Sequence, residues 1–123
     1  MIKENKVPND KTHAAKRQTL IARLINVARG EETITYKQAL IGIMHWRDSK
    51  VGPFLGEISA AEHKAGRPLL TAVIIHKGNK IPGDGFYKLC KYLGVAGARL
   101  SKKQCVAYEL GRVHEYWKEN DTV

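Results

Sequence analysis

A mainly α-helical fold with a small β element is predicted by three features of the 123-residue sequence. Apolar residues recur at helical spacing in several separate stretches. Two Ser/Thr-x-x-Gln capping boxes mark helix starts. One run, Leu69 to Ile75, is instead continuously apolar and rich in β-branched residues, interrupted only by Thr71.

The first helix is expected over residues 11–28. Leu20, Ile21, Leu24, Ile25 and Ala28 make one apolar stripe, Lys16, Arg17 and Arg23 fall outside it, and Gly30 ends it. Thr35-Tyr36-Lys37-Gln38 is a capping box with Ile34 placed before it as a hydrophobic staple. It opens a short helix, Tyr36 to Met44, turning Ala39, Leu40 and Ile43 inward. Ser49 is the expected cap of the next helix, which runs to Ala65 with Val51, Phe54, Leu55, Ile58 and Glu62 on one side. Pro53 is tolerated in its first turn, and Gly66 and Pro68 stop it.

Leu69 to Ile75 reads as a buried strand, and Lys77-Gly78-Asn79-Lys80 as a turn. Ile81 returns as a strand remnant cut off by Pro82-Gly83-Asp84-Gly85. A short helix follows from Phe86 to Leu93, with Phe86, Leu89, Cys90 and Leu93 in register, and then a flexible connection from Gly94 to Ala98. Ser101-Lys102-Lys103-Gln104 caps the last helix, which carries Val106, Leu110, Val113 and Trp117 on one face. Neither a repeat nor a linker divides the chain. Residues 11–119 are expected to form one domain, between a flexible basic arm at 1–10 and a frayed tail at 120–123.

The composition, 43% hydrophobic and 27% charged, is that of a globular protein. No run approaches the roughly 18 apolar residues needed to cross a bilayer, so no membrane partner is expected. The polar start, with Lys3, Glu4, Asn5, Lys6 and Asp10, lacks the apolar core of a signal peptide. The two cysteines, Cys90 and Cys105, share no metal-ligand spacing and make no disulfide framework. Buried free thiols in a reducing cytoplasm are the expectation, with neither metal nor cofactor.

The charge is more telling. The formal net charge is +9, and it is concentrated in two blocks. Residues 1–30 hold Lys3, Lys6, Lys11, Lys16, Arg17, Arg23 and Arg29 against Glu4 and Asp10. Residues 77–103 hold Lys77, Lys80, Lys88, Lys91, Arg99, Lys102 and Lys103 against Asp84. A fold that brings the blocks together makes a face that attracts phosphates, so nucleic acid is the expected partner.

The order helix, short helix, helix, strand, turn places a winged-helix-like helix-turn-helix core between flanking N- and C-terminal helices. In that layout Ser49 and Lys50 approach bases, and Lys77 and Lys80 sit at a wing tip. Lys16, Arg17, Arg23, Lys88, Lys91, Lys102 and Lys103 clamp the phosphates of duplex DNA.

Ile34-Thr35-Tyr36-Lys37-Gln38-Ala39, Lys50-Val51-Gly52-Pro53-Phe54-Leu55 and the following strand and Gly-containing turn carry a resemblance. Over residues 34–86 they resemble the winged-helix C-terminal domain of the alkylguanine DNA alkyltransferases and alkyltransferase-like proteins. The resemblance implies a winged-helix layout and a DNA partner. It does not imply alkyl transfer, because the reactive Pro-Cys-His-Arg motif has no counterpart and the expected strand ends Ile75-His76-Lys77. The connection from Ser59 to Pro68 is also longer than in that family.

Catalysis is the rival reading. Glu57, Glu62, His63, His76 and Asp84 include the types needed to cleave a phosphodiester, and Glu62, His76 and Asp84 are the set expected to converge on one cleft. The plainer alternatives are a solvated helix end, a local Glu62–Arg67 ion pair and a turn aspartate. Trp46 beside Arg47, and Tyr87 and Tyr92 among Lys88 and Lys91, read either as stacking surfaces for bases or as core anchors and snorkelling lysines. A third reading docks the basic face on an acidic protein, as a small phage or mobile-element inhibitor would. The oligomeric state is not encoded in any feature of the sequence.

Overall fold

The Thr12 hydroxyl accepts the Ala15 N–H at 3.1 Å and starts α1 (His13–Arg29). The computed structural model describes residues 12–95 and 99–120; the expected arm, part of the connection after the fourth helix and the tail beyond Asn120 lie outside them. A two-residue strand β1 (Ile34–Thr35) leads into α2 (Tyr36–Ala39), and α3 (Val51–Lys64) follows. A 3-10 turn (Leu70–Val73) runs into β2 (Ile74–Ile75); α4 (Asp84–Leu93) and α5 (Lys102–Glu119) complete the chain. The fold is mainly helical, with one small sheet among the described residues. No described helix is long and apolar enough to cross a membrane.

Both capping boxes form. Thr35 and Ser101 accept the N–H groups of Gln38 and Gln104, each at 3.2 Å. The cap expected of Ser49 does not. Asp48 holds the start of α3 instead, its carboxylate accepting the Lys50 N–H at 2.8 Å and its carbonyl the Val51 N–H at 3.0 Å. The α2 helix is also shorter than the spacing predicts, because the chain turns from Leu40 onward and reaches the left-handed region at Gly42 (φ 78°). Leu40 and Ile43 are buried as expected, so the inward face survives the loss of helix.

The strand expected over Leu69–Ile75 is corrected. Every residue from Pro68 to Ile75 is buried, but the run is a 3-10 turn that becomes extended only at Ile74. The physical reason is its surroundings. α1, α3 and α5 all pack against the 3-10 turn and leave no room for a neighbouring strand. Its backbone donors find side chains instead. The Leu69 N–H donates to the fully buried carboxylate of Glu109 on α5 at 2.8 Å. The Thr71 N–H donates to Ser59 Oγ on α3 at 3.3 Å, and the two hydroxyls bond to each other at 2.6 Å. Burial of Leu69, Leu70, Val73 and Ile74, all without exposure, contributes roughly 1.5–3 kcal/mol each.

The strand partner expected at Ile81 is corrected too. β2 pairs with β1, in parallel, Ile34 opposite Ile74 and Thr35 opposite Ile75. The expected strand remnant at Ile81 is a single exchange: the His76 N–H donates to the Ile81 carbonyl and the Lys80 N–H to the His76 carbonyl, each at 2.9 Å. This closes a tight loop at Lys77–Lys80, with Lys80 itself in the left-handed region (φ 59°).

Glu109 therefore satisfies a buried donor and the Arg112 guanidinium, 2.7 Å away, at once. Glu109→Ala is expected to lower stability by about 3 kcal/mol, because it strands the Leu69 N–H in a dry interior. Glu109→Gln, which keeps an acceptor, is expected to cost less. Urea denaturation measures both, and equal losses would contradict the assigned role of the carboxylate.

Candidate functional site

Tyr36 and His76 are the residues at which the chain leaves the two parallel strands, and the register sets them side by side. Their rings lie 4.9 Å apart, tilted by 38°. Gly83 closes this corner: its N–H donates to the Tyr36 hydroxyl at 2.9 Å. A Cβ at Gly83 would stand 3.1 Å from His76 Nε2, so a side chain there would push the imidazole away. Burial raises the Tyr36 phenol above its ordinary range, against the opposing effects of the Gly83 hydrogen bond and the Lys102 charge. The phenol is therefore neutral, and its own proton is not donated to any described residue.

From this corner opens a cavity of about 570 Å³ between α3 and α4. Its walls carry the rings of Tyr36, Trp46, His76, Phe86 and Tyr92. α3 contributes Val51, Gly52, Leu55 and Gly56, and Thr71 of the buried 3-10 turn also faces it. The glycines make the space: a Cβ at Gly52, Gly56 or Gly85 would meet nothing within 4 Å. Tyr92 is 86% exposed at the rim, an aromatic surface with little of the protein covering it. A smaller cavity of about 420 Å³ shares Tyr36, Trp46 and His76 with the first and adds Lys37, Ile75 and Lys77 among its lining. The Arg47 guanidinium lies 4.6 Å from the centre of the Trp46 ring, and the His45 ring stacks on Trp46 at 6.3 Å.

Among the described residues no carboxylate lines either cavity. Five of the carboxylates among the described residues form ion pairs. Glu57 binds His13 and Arg17, Glu62 binds Arg67, Glu109 binds Arg112 and Glu31 binds Lys118. Asp84 binds Lys102, whose hydrogen bond and charge hold the exposed carboxyl below its usual range. Lys88 lines the larger cavity and Lys37 and Lys77 the smaller, and none of the three forms an ion pair with a described residue. Lys50 and Lys80, also without such a pair, stand in sequence beside the cavity-lining Val51 and within the Lys77–Lys80 turn.

Of the residues expected to catalyse, Asp84 feels the charge of His76, which adds to the lowering of its carboxyl, while Glu62 is committed to another partner. Glu62 is buried near the C-terminal end of α3 in a two-pronged bond with Arg67, at 2.8 and 2.9 Å. Of Glu62, His76 and Asp84, only His76 lines a cavity. Among the expected phosphate contacts, Arg23 instead donates to the Ala39 and Ile41 carbonyls at 2.6 and 2.9 Å and fixes the loop after α2. Arg17 and Lys102 are drawn into ion pairs, and Lys91 lies over the Tyr87 ring, 5.3 Å from its centre. The side chains of Lys16, Ser49 and Lys103 have no hydrogen-bond or ion-pair partner among the described residues, and the three line neither cavity. Trp46 is half-buried and packs on the core while also forming the wall common to both cavities, so its two sequence readings meet in one residue.

The sequence reading passes over Gly56, Thr71 and the second role of Tyr36. The paired glycines Gly52 and Gly56, four apart on one helix face, are the signal that was available. Cys90 and Cys105 are both buried and neither lines a cavity. Burial, and then Cys105 beside it, raise the Cys90 thiol well above its ordinary range and keep it protonated. Among the described residues no three His, Cys, Asp or Glu side chains gather as metal ligands. No protein-family model, curated protein or solved structure matches the chain.

Because the space beside Gly56 is open, Gly56→Ala is expected to stabilise the protein by up to about 1 kcal/mol through helix propensity. Gly56→Leu is expected to fold equally well and to reduce quenching of Trp46 by acrylamide, since it fills the cavity that exposes the indole. A destabilised Ala variant, or unchanged quenching in the Leu variant, would contradict the open cavity beside α3.

Proposed function

We propose that the chain binds nucleic acid, as duplex DNA, on the face that holds the two cavities. One observation carries this reading: an aromatic-lined cavity lies among lysines that form no ion pair with a described residue, and no carboxylate of the described residues is in its lining. Lysines left unpaired beside stacking rings attract phosphates and offer π-faces to an exposed base. The winged-helix-like layout belongs to this proposal. The α2–α3 pair acts as the helix-turn-helix and the Lys77–Lys80 loop as a reduced wing, supported by its two closing backbone bonds.

The likeness to alkyltransferase C-terminal domains is part of the same proposal. Tyr36, Val51 and Gly52, which carry that likeness in sequence, all line the larger cavity. The aliphatic hydroxyl of the cavity lining belongs to Thr71 and is bonded to Ser59, and no hydrogen bond ties it to a histidine or carboxylate of the described residues. Recognition without group transfer is the chemistry these residues support. Cleavage of a phosphodiester has less support, since Glu62 is tied to Arg67 and Asp84 to Lys102.

Affinity for duplex DNA should fall linearly with salt on logarithmic axes. If Lys37, Lys50, Lys77, Lys80 and Lys88 each meet one phosphate, the slope is about −4 to −5. Lys77→Ala with Lys80→Ala should weaken binding, reduce that slope by about 2 and leave the thermal midpoint unchanged. A flat salt response, or no complex at low salt, would exclude the nucleic-acid reading and favour an acidic protein partner.

A further inference from the structure

The parallel register has a chemical outcome at the strand ends. Thr35 sits opposite Ile75, so the chains emerge side by side as Tyr36-Lys37 and His76-Lys77. Ligands of parallel sheets settle beyond the carboxyl ends of the strands, where the following residues diverge. Here those residues are two rings in contact and then two lysines that line the same small cavity. Two ammonium groups beside one cavity repel each other unless an anion lies between them. No carboxylate of the described residues is in the cavity lining, and Thr35 and Gln38 are spent on each other in the capping box. The donors left to a ligand are Lys37, Lys77 and the His76 ring, whose nitrogens bond to no described residue.

The larger cavity is of a different kind, with rings and glycines, a single lysine at Lys88 and a volume suited to a flat heterocycle. The two cavities have Tyr36, Trp46 and His76 in common in their linings. We propose that the two cavities are the halves of one nucleotide site. A nucleobase lies among the rings of the larger cavity, its phosphate lies between Lys37 and Lys77 in the smaller, and the sugar lies over the shared residues Tyr36 and His76. This rests on the nucleic-acid reading and sharpens it, since the unit recognised is a base together with its own phosphate.

Calorimetric titration of the full chain tests the site with inorganic phosphate, a deoxynucleoside, its 5′- and 3′-monophosphates and a single-stranded trinucleotide. A monophosphate should bind at least about tenfold more tightly than the nucleoside, a difference of about 1.4 kcal/mol. Lys37→Ala with Lys77→Ala should remove that advantage and leave nucleoside affinity unchanged. Gly56→Leu should do the reverse, weakening the nucleoside and sparing phosphate. A trinucleotide tighter than the monophosphates identifies the ligand as a strand; a monophosphate at least as tight identifies a free nucleotide; both support the site. Equal affinity for nucleoside and monophosphates, or a double lysine variant that weakens both alike, overturns it. Duplex binding measured in parallel separates the two levels. Duplex bound without a monophosphate advantage sinks this site alone, and failure of both sinks the nucleic-acid reading with it.

Discussion

The hydrogen bond from the Leu69 N–H to the buried Glu109 carboxylate fixes the rest of the molecule. An apolar segment surrounded by three helices cannot find a strand partner for its first donors, and an unpaired donor in such a place costs about 1–3 kcal/mol. Glu109 from α5 and Ser59 from α3 supply the acceptors. The segment is thereby held as a 3-10 turn until it clears the helices, and only then does it extend to meet β1. This sets the point at which His76 emerges beside Tyr36 and makes Thr71 face the cavity. A structural carboxylate thus positions the candidate site without touching it.

Charge is divided on the same principle. Four carboxylates away from the cavities are matched to cations: Glu57 to His13 and Arg17, Glu62 to Arg67, Glu109 to Arg112, Glu31 to Lys118. A net charge of +9 then leaves its surplus as unpaired lysines, and several of these fall at the cavities. Surface pairs contribute little to stability, so the division matters for what the surface attracts more than for how firmly the chain folds.

Much of the fold was legible in the sequence because its signals are local. The two capping boxes, the stripe of Leu20, Leu24 and Ala28, and the stops at Gly30 and Gly66 are each decided within one or two helical turns. Glu31, the left-handed residue just after Gly30, is a case where an ion pair with Lys118 accompanies a conformation usually left to glycine. The run Leu69–Ile75 was legible as buried but not as 3-10, because the acceptors that decide its shape, Ser59 and Glu109, lie 12 and 40 residues away. The site was half legible for the same reason. Lysine content and the Trp46-Arg47 pair are local, whereas the meeting of Tyr36 with His76 and Gly83 depends on a parallel pairing that no sequence spacing reveals.

Mapping a short duplex onto the protein by backbone amide chemical shifts tests the account most directly. The account predicts that the largest changes fall at Lys37, Gly52, Gly56, His76, Gly83 and Lys88, around the two cavities. The amides of Arg67, Arg112 and Lys118, on the faces where cations are paired, should remain still. Changes centred on those paired faces, or spread evenly over the surface, would contradict the assignment of function to the cavity face.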